Sequence, residues 1–137
     1  MKIQKTIGIL LLLVGFIAFL PSCNSDIAFQ KLMEKTAKDI NKQCPIQVDS
    51  DMVWDSVNVL PNKTFQYYYT IKNFEASDID TINVKKERTP IMLNSIKSEA
   101  SIKIYRDHKT TFLYVFKDKL GKPAFSITIT PDMYSKK

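Results

Sequence analysis

The chain has little glycine and histidine for its 137 residues, and each shortage argues against a class of function. Only one of its three glycines, Gly121, lies beyond residue 22, so no glycine-rich loop is available to hold nucleotide phosphates. The one histidine, His108, lies in a predicted turn beside Arg106 and Asp107, where a solvated side chain is more common than a catalytic base. These shortages argue against a nucleotide-dependent enzyme and against histidine-based catalysis.

The other reactive side chains do not form a catalytic pattern either. Cys44 could act as a nucleophile only if the fold brought it to His108, and nothing in the spacing indicates this. Asp49, Asp51 and Asp55 alternate like calcium ligands, but valine and tryptophan stand at the positions where that loop needs a ligand and a glycine. We therefore predict no catalytic residue, no cofactor and no metal site, and we do not expect an enzyme.

The first 22 residues have the organisation of a secretory signal. Two lysines precede residues 7–20, which are apolar apart from two glycines. The apolar core of a signal spans about 7–15 residues, whereas a helix needs about 20 to cross a bilayer. Pro21 would also stop a continuing helix. We therefore predict a cleaved signal peptide over residues 1–22, with an uncleaved membrane anchor as the alternative.

The residues around the predicted cleavage site resemble a known motif. The sequence Leu-Pro-Ser-Cys at residues 20–23 resembles the lipobox of bacterial lipoproteins. The resemblance implies that Cys23 is the lipid attachment site and that residues 23–137 form one mature domain, with 23–25 as a lipidated tether. Several acyl chains hold a protein stably on a membrane, whereas one chain does not. A plain signal peptidase site with an incidental cysteine is the alternative.

The composition and the lipobox also resemble those of Bacteroidetes lipoproteins, because the chain is rich in lysine, asparagine, isoleucine and tyrosine. This resemblance implies a lipid-anchored protein of the bacterial cell envelope, held at the outer membrane. Aspartate directly after the cysteine would resemble an inner-membrane retention signal, and Asn24 stands there instead. The single acidic residue Asp26 leaves the periplasmic side and the cell-surface side both open.

Charge and length restrict the partners of the mature chain. Removal of residues 1–22 takes away two lysines, which leaves 18 basic and 14 acidic residues. These charges are spread along the chain, whereas a nucleic-acid site would cluster its lysines and arginines. We therefore expect the membrane as a partner, through the lipid anchor, and no nucleic acid. About 115 residues are enough for one domain with its own core.

Residues 26–44 predict the first helix. Apolar residues recur there at steps of three and four, and charged residues cover the opposite face. Ser25 or Asp26 would cap its start, and Pro45 would end it. The predicted core face consists of Phe29, Leu32, Met33, Thr36, Ala37, Ile40 and Cys44. We expect this face to pack on the core, with Cys44 as a buried thiol and an intermolecular or redox thiol as the alternative.

Four alternating segments predict two β-hairpins. Residues 53–60 and 65–71 form the first hairpin, and residues 110–116 and 125–129 form the second. The loop of the second hairpin contains Gly121, which suits a tight turn. The segment 110–116 is apolar on both faces, as is typical of a central strand.

Helices are predicted between the two hairpins. One begins near Ser77, with Ile79 and Ile82 toward the core, and Thr89-Pro90 interrupts it and starts another. Residues 98–105 fit either a short helix, which we favour, or a strand. The order helix, hairpin, helices, hairpin predicts an α+β fold in which a four-stranded antiparallel sheet carries helices on one face.

The mature chain resembles a group of small uncharacterised lipoproteins of Bacteroidetes type. Their pattern is Asn-x-x-Cys/Leu-Pro, Val-Asp, Leu-Asp-Ser and Tyr-x-Tyr-Thr, and this chain has matching residues from Asn41, Val48, Asp55 and Tyr67. The resemblance implies a shared fold and no known chemistry. Trp54 replaces the usual Arg-Leu of the pattern, so no role of that arginine carries over to this chain.

A sheet with helices on one face leaves its other face open to water or to a partner. Trp54 and Tyr68 are predicted there, and aromatic side chains are favoured at interfaces. We therefore predict a membrane-anchored envelope lipoprotein that is a non-catalytic interaction or accessory module, with Trp54 and Tyr68 as its contact surface for an envelope protein. A small-ligand or carbohydrate-binding lipoprotein is the alternative, and a thiol enzyme that uses Cys44 is the third interpretation.

Overall fold

The computed structural model describes residues 23–136. The predicted signal peptide, Lys137 and the side chains of Cys23 and Asn24 lie outside the described residues, so the predicted cleavage and lipid attachment lie there too. Two short 3-10 turns, Ala76–Asp78 and Ala100–Ile102, precede α2 and α3. The helices and strands of the described part are α1 (Cys23–Asn41), β1 (Ile46–Gln47), β2 (Met52–Leu60), β3 (Thr64–Ile71), α2 (Thr81–Ser98), α3 (Lys103–Asp107), β4 (Thr111–Lys117), β5 (Pro123–Ile129) and α4 (Pro131–Ser135).

The strands form one mixed sheet in the order β1-β2-β3-β4-β5. The β2–β3 and β4–β5 pairs are antiparallel hairpins, but β3 and β4 run parallel. The prediction of a four-stranded antiparallel sheet is therefore wrong. The connection between β3 and β4 contains α2 and α3 and returns the chain to the end where β3 began, as a parallel crossover requires. The additional strand β1 has two residues, too few to give an alternating pattern.

The core lies on the face of the sheet that α1 covers. Val59, Phe65, Phe112 and Ile129 form one row across β2 to β5, because side chains that are in register point to the same face. The α1 residues buried in this core are Phe29, Met33 and Ala37. This confirms the predicted core face for those three residues. The helix has the predicted length of 19 residues but begins and ends three residues earlier, at Cys23 and Asn41, which leaves Cys44 half-buried beyond it.

The helix α2 differs from its prediction at both its start and its middle. It begins at Thr81, with the Asp80 carboxylate as N-cap, and continues through Pro90. The predicted interruption at Pro90 is wrong. Proline removes one backbone N–H, and because Pro90 is exposed, the carbonyl that loses its partner can bind water. Ile82, predicted to face the core, has 78% of its surface exposed.

The ambiguous segment after α2 is helical. It forms the 3-10 turn Ala100–Ile102 and then α3, so the favoured alternative is confirmed and the strand is wrong. The hydroxyls of Tyr105 on α3 and Thr36 on α1 are 2.8 Å apart and share a hydrogen bond that joins the two helices. No helix within residues 23–136 is long and apolar enough to cross a membrane.

Candidate functional site

A cleft of about 490 Å³ opens between the covered face of the sheet and α2. It lies where β3 ends, and its walls come from the β1–β2 loop, from residues 72–80 and from α2. We define the cleft by its floor residues Tyr69, Tyr114 and Phe116 and its wall residues Val48, Phe74 and Ile91. The site is therefore assembled from segments that are far apart in the sequence.

A row of stacked aromatic rings supports the floor of the cleft. Trp54 on β2 stacks on Tyr69 of β3, with ring centroids 6.1 Å apart, and Tyr69 stacks on Phe116 of β4 at 5.4 Å. Phe116 stacks on Phe125 of β5 at 4.5 Å. Each aromatic pair contributes about 0.5–1.5 kcal/mol beyond its buried area. The floor is therefore held in place by the sheet itself.

Two tyrosine hydroxyls supply the polar groups of the floor. Burial raises the pKa of Tyr69 to about 12 and also raises the pKa of Tyr114, so both phenols are protonated at neutral pH. Neither hydroxyl forms a hydrogen bond with another residue of the described part of the chain. Each can therefore donate a hydrogen bond to a molecule that enters the cleft.

The walls of the cleft expose large apolar side chains. Val48 and Phe74 are about half exposed, and Ile91 has 60% of its surface exposed. Single exposed apolar residues are common on protein surfaces, but several around one concave surface are typical of a binding site. These three residues come from the β1–β2 loop, the segment after β3 and α2, and they meet only in the folded protein.

Acidic side chains surround the mouth of the cleft. Asp49 and Asp51 lie on the β1–β2 loop, and Asp78 and Asp80 lie before α2. Arg88 is the one basic residue of the lining among the residues that the structure describes. No group of three or more histidine, cysteine or acidic residues within 23–136 could hold a metal ion. The lining therefore carries more acidic than basic residues, which favours a positively charged partner.

Asp118, in the β4–β5 loop, holds one wall of the cleft in place. Its buried carboxylate accepts hydrogen bonds from the backbone N–H groups of Ala76, Leu120 and Lys122 at 3.1, 2.9 and 2.8 Å. The N–H of the next residue donates to the carbonyl of Phe74 at 3.0 Å. The β4–β5 loop and the segment that carries Phe74 are thereby fixed to each other.

The structure places Trp54 and Tyr68 on opposite faces of the sheet. Trp54 pairs with Tyr69 and packs on the core, and its indole N–H donates to the backbone oxygen of Ser56 at 3.1 Å. Tyr68 lies on the open face, where the ammonium group of Lys117 is 5.4 Å from its ring centre. The fold therefore does not bring the two residues together, and a contact through Tyr68 stays a prediction.

The structure also separates Cys44 from His108. The His108 ring stacks on Phe29 near the start of α1 at 4.0 Å, and Phe29 is about 18 Å along the helix from Asn41, which precedes Cys44. Burial raises the pKa of the Cys44 thiol, and the charge of Asp55 adds to this, whereas a nucleophilic cysteine needs a lowered pKa. The geometry gives no support to the thiol enzyme.

A family model describes the greater part of this chain. The model of a domain of unknown function, DUF8479, matches residues 28–124. The chain belongs to the DUF8479 family. The matched part of this DUF8479 protein extends from α1 into β5 and contains all six residues that define the cleft. No curated protein sequence matches the chain.

Solved structures share this fold of the DUF8479 chain. A protein described as secreted, from Pseudomonas aeruginosa, is 16% identical, with a TM-score of 0.64 over 85% of this chain and 98% of its own. EpsS, a pilotin of the type II secretion system of Vibrio vulnificus, is 10% identical, with a TM-score of 0.64 over 83% and 99%. The type II pilotin AspS of Vibrio cholerae is 9% identical, with a TM-score of 0.60 over 82% and 99%. At these identities the comparison shows a common fold.

The sequence did not reveal the cleft. Phe74 lies between charged and polar residues after β3, and Ile91 lies on a helix that was predicted to be interrupted. The one available signal was the presence of large apolar residues, such as Val48 and Phe74, inside predicted loops. Such residues mark a candidate surface, but their position relative to one another depends on the strand order.

Proposed function

We propose that this protein is a lipid-anchored, non-catalytic accessory protein of the bacterial cell envelope, and that its cleft binds an apolar segment of a partner protein. The observation that carries the proposal is the exposure of Val48, Phe74 and Ile91 above a floor of stacked aromatic rings. The predicted lipid on Cys23 is the membrane anchor. The fold shared with a secreted protein and two pilotins supports an accessory role in the envelope.

The chemistry of the cleft favours a protein segment over a carbohydrate. A sugar has many hydroxyl groups that each need a hydrogen-bond partner when buried, whereas the floor here supplies two phenol hydroxyls and is otherwise apolar. A peptide segment can place apolar side chains on the floor and basic side chains against Asp49, Asp51, Asp78 and Asp80. The acidic rim and the apolar floor therefore both favour a protein segment that carries basic and apolar side chains.

Two exposed isoleucines of α2 provide a test of the cleft. Ile91 lines the cleft, and Ile82 does not. Ile91→Glu places a charge where an apolar segment must be buried, and the loss of one isoleucine contact weakens binding about tenfold or more. The measurement is the set of envelope proteins that co-purify with the tagged protein from solubilised membranes. Proteins lost with Ile91→Glu should be retained with Ile82→Glu.

Both variants should unfold at the temperature of the wild type, because both side chains are largely exposed. Equal thermal unfolding excludes a folding defect as the cause of a lost partner. Recovery of the same proteins with the wild type, Ile91→Glu and Ile82→Glu would show that the cleft is not the binding site.

Lipid attachment at Cys23 is tested in a separate experiment. The wild-type protein should incorporate labelled palmitate and sediment with membranes, and Cys23→Ala should lose both properties. Cys44→Ala serves as the matched control and should behave like the wild type, since Cys44 lies within the folded part beyond α1. Labelling of the Cys23→Ala variant at the wild-type level would contradict the anchor.

A further inference from the structure

Three segments meet at the end of the molecule where α1 begins. We call this the basal end, formed by residues 23–31, 61–63 and 100–110. The ammonium group of Lys63 in the β2–β3 turn lies 2.8 Å from the carboxylate of Asp26 on α1. The ring of His108, after α3, stacks on Phe29 of α1. These contacts fix the first turns of α1, the β2–β3 turn and α3 as neighbours.

The basal end and the cleft lie at opposite ends of the sheet. The strand β3 starts directly after Lys63 and finishes three residues before Phe74 on the cleft wall. Its eight residues span about 26 Å at about 3.3 Å per residue. The start of α1 at Cys23 is therefore separated from the cleft by about the length of a strand.

The basal end exposes apolar side chains beside an excess of positive charge. Ile27 on α1 has 56% of its surface exposed, and Ile104 on α3 has 43%. The two acidic residues of these segments, Asp26 and Asp107, pair with lysines of the same segments. The basic residues are Lys31, Lys63, Lys103, Arg106 and Lys109. Of these, the half-buried Arg106 donates to the carbonyl oxygens of Ile96 and Glu99, so the lysines carry the exposed positive charge. Exposed isoleucines among basic residues are typical of surfaces that lie in the interfacial layer of an anionic membrane.

We propose that the basal end makes a second contact with the membrane, in which Ile27 and Ile104 enter the interfacial layer and the lysines face anionic lipid headgroups. This inference rests on the proposed lipid anchor at Cys23, which is four residues from Ile27 on the same helix. An anchor at that position brings the basal end within a Debye length of the headgroups, about 8–10 Å, where their charge acts on lysines.

The contact orients the whole protein. With the basal end on the bilayer, the cleft points away from it, and its mouth is held about 26 Å above the headgroups. A lipid anchor alone would leave the protein free to tumble about its tether. The second contact instead presents the acidic mouth of the cleft to a partner that approaches from the aqueous side.

The test uses the acylated protein in vesicles of phosphatidylcholine and phosphatidylglycerol. A fluorophore is attached to one introduced cysteine in the Cys44→Ser background, at Ile27→Cys, at Ile104→Cys or at Leu120→Cys. Leu120, 58% exposed in the β4–β5 loop at the cleft end, is the matched control. We expect nitroxide-labelled lipids to quench the first two labels several-fold more than the control, and aqueous iodide to quench them less.

Four other results would each contradict the anchor, the second membrane contact or the role of the basic residues. Equal quenching at all three positions, with the protein still on the vesicles, overturns the second contact and leaves the anchor intact. Loss of the protein from the vesicles overturns the anchor and, with it, the contact. Unchanged lipid quenching without phosphatidylglycerol overturns the role of the basic residues. Shielding from iodide in native membranes but not in vesicles assigns the basal end to a protein partner instead.

Discussion

At the scale of single residues, Asp118 connects stability to the shape of the cleft. Burial alone would raise the pKa of its carboxyl, but hydrogen bonds from the backbone N–H groups of Lys122, Ala76 and Leu120 hold the pKa below its ordinary value. A carboxyl with a lowered folded-state pKa stabilises the protein above its unfolded pKa, about 4, and this contribution is lost as the pH falls.

Asp118→Asn should therefore be less stable than the wild type at neutral pH, and the difference should shrink as the pH falls below about 4. The measurement is the denaturation midpoint of both proteins from neutral to acidic pH. Glu87→Gln, which removes one exposed carboxylate from α2, is the control and should follow the wild type at neutral pH. A stability difference that is the same at every pH would contradict the role given to the charge of Asp118.

The sequence predicts the loop that contains Asp118 but not the contact that Asp118 makes with a distant segment. Its place in a glycine-containing hairpin loop follows from the residues around Gly121, and the structure contains that loop. Its hydrogen bond to Ala76 joins residues 42 positions apart, and a local pattern carries no information on such a pair. Hydrogen bonds within one loop can be predicted from the sequence, whereas hydrogen bonds between loops depend on the fold.

At the scale of secondary structure elements, the end of α1 protects an exposed edge of the sheet. The short strand β1 covers β2 only at Val53 and Trp54. Beyond it, the side-chain amide of Asn41 donates to the backbone oxygen of Val57 and accepts from its N–H, each at 2.8 Å. Asn41 therefore occupies the backbone N–H and carbonyl of Val57, as a neighbouring strand would. These edge groups would otherwise be free to pair with another chain.

Asn41→Ala should destabilise the protein by about 1–2 kcal/mol, because it leaves the N–H and carbonyl of Val57 without their partner. Asn41→Asp keeps the acceptor but sets a carboxylate oxygen against the carbonyl oxygen of Val57, so it should also be less stable than the wild type. The measurement is the urea midpoint of the three proteins. Wild-type midpoints in both variants would mean that water replaces the Asn41 amide without cost.

The sequence predicted most elements but not their relative direction. The alternation over residues 53–60 and 65–71 predicts strands regardless of their neighbours, because the period of two is local. The parallel pairing of β3 with β4 depends on where α2 and α3 return the chain, and periodicity does not contain this information. The sequence around Pro90 predicts a helix break, but the solvent-facing position of Pro90 in α2 tolerates proline.

At the scale of the whole molecule, the protein has two different ends. The basal end carries the start of α1, exposed isoleucines and an excess of basic residues. The other end carries the cleft with an apolar floor and an acidic rim. The signal and the lipobox are contiguous motifs, so the sequence alone gives a targeting prediction, which stays a prediction. The cleft could not be predicted in this way, since it requires the order of five strands.

The central claim is that the cleft binds an envelope protein, and photo-crosslinking in living cells tests it most directly. A photoreactive amino acid is placed at position 91 in the cleft and, as control, at position 82 of the same helix. We expect a discrete adduct from position 91, none from position 82, and about tenfold less adduct when Phe74→Glu is added. No adduct at position 91, or equal adducts at both positions, would contradict it.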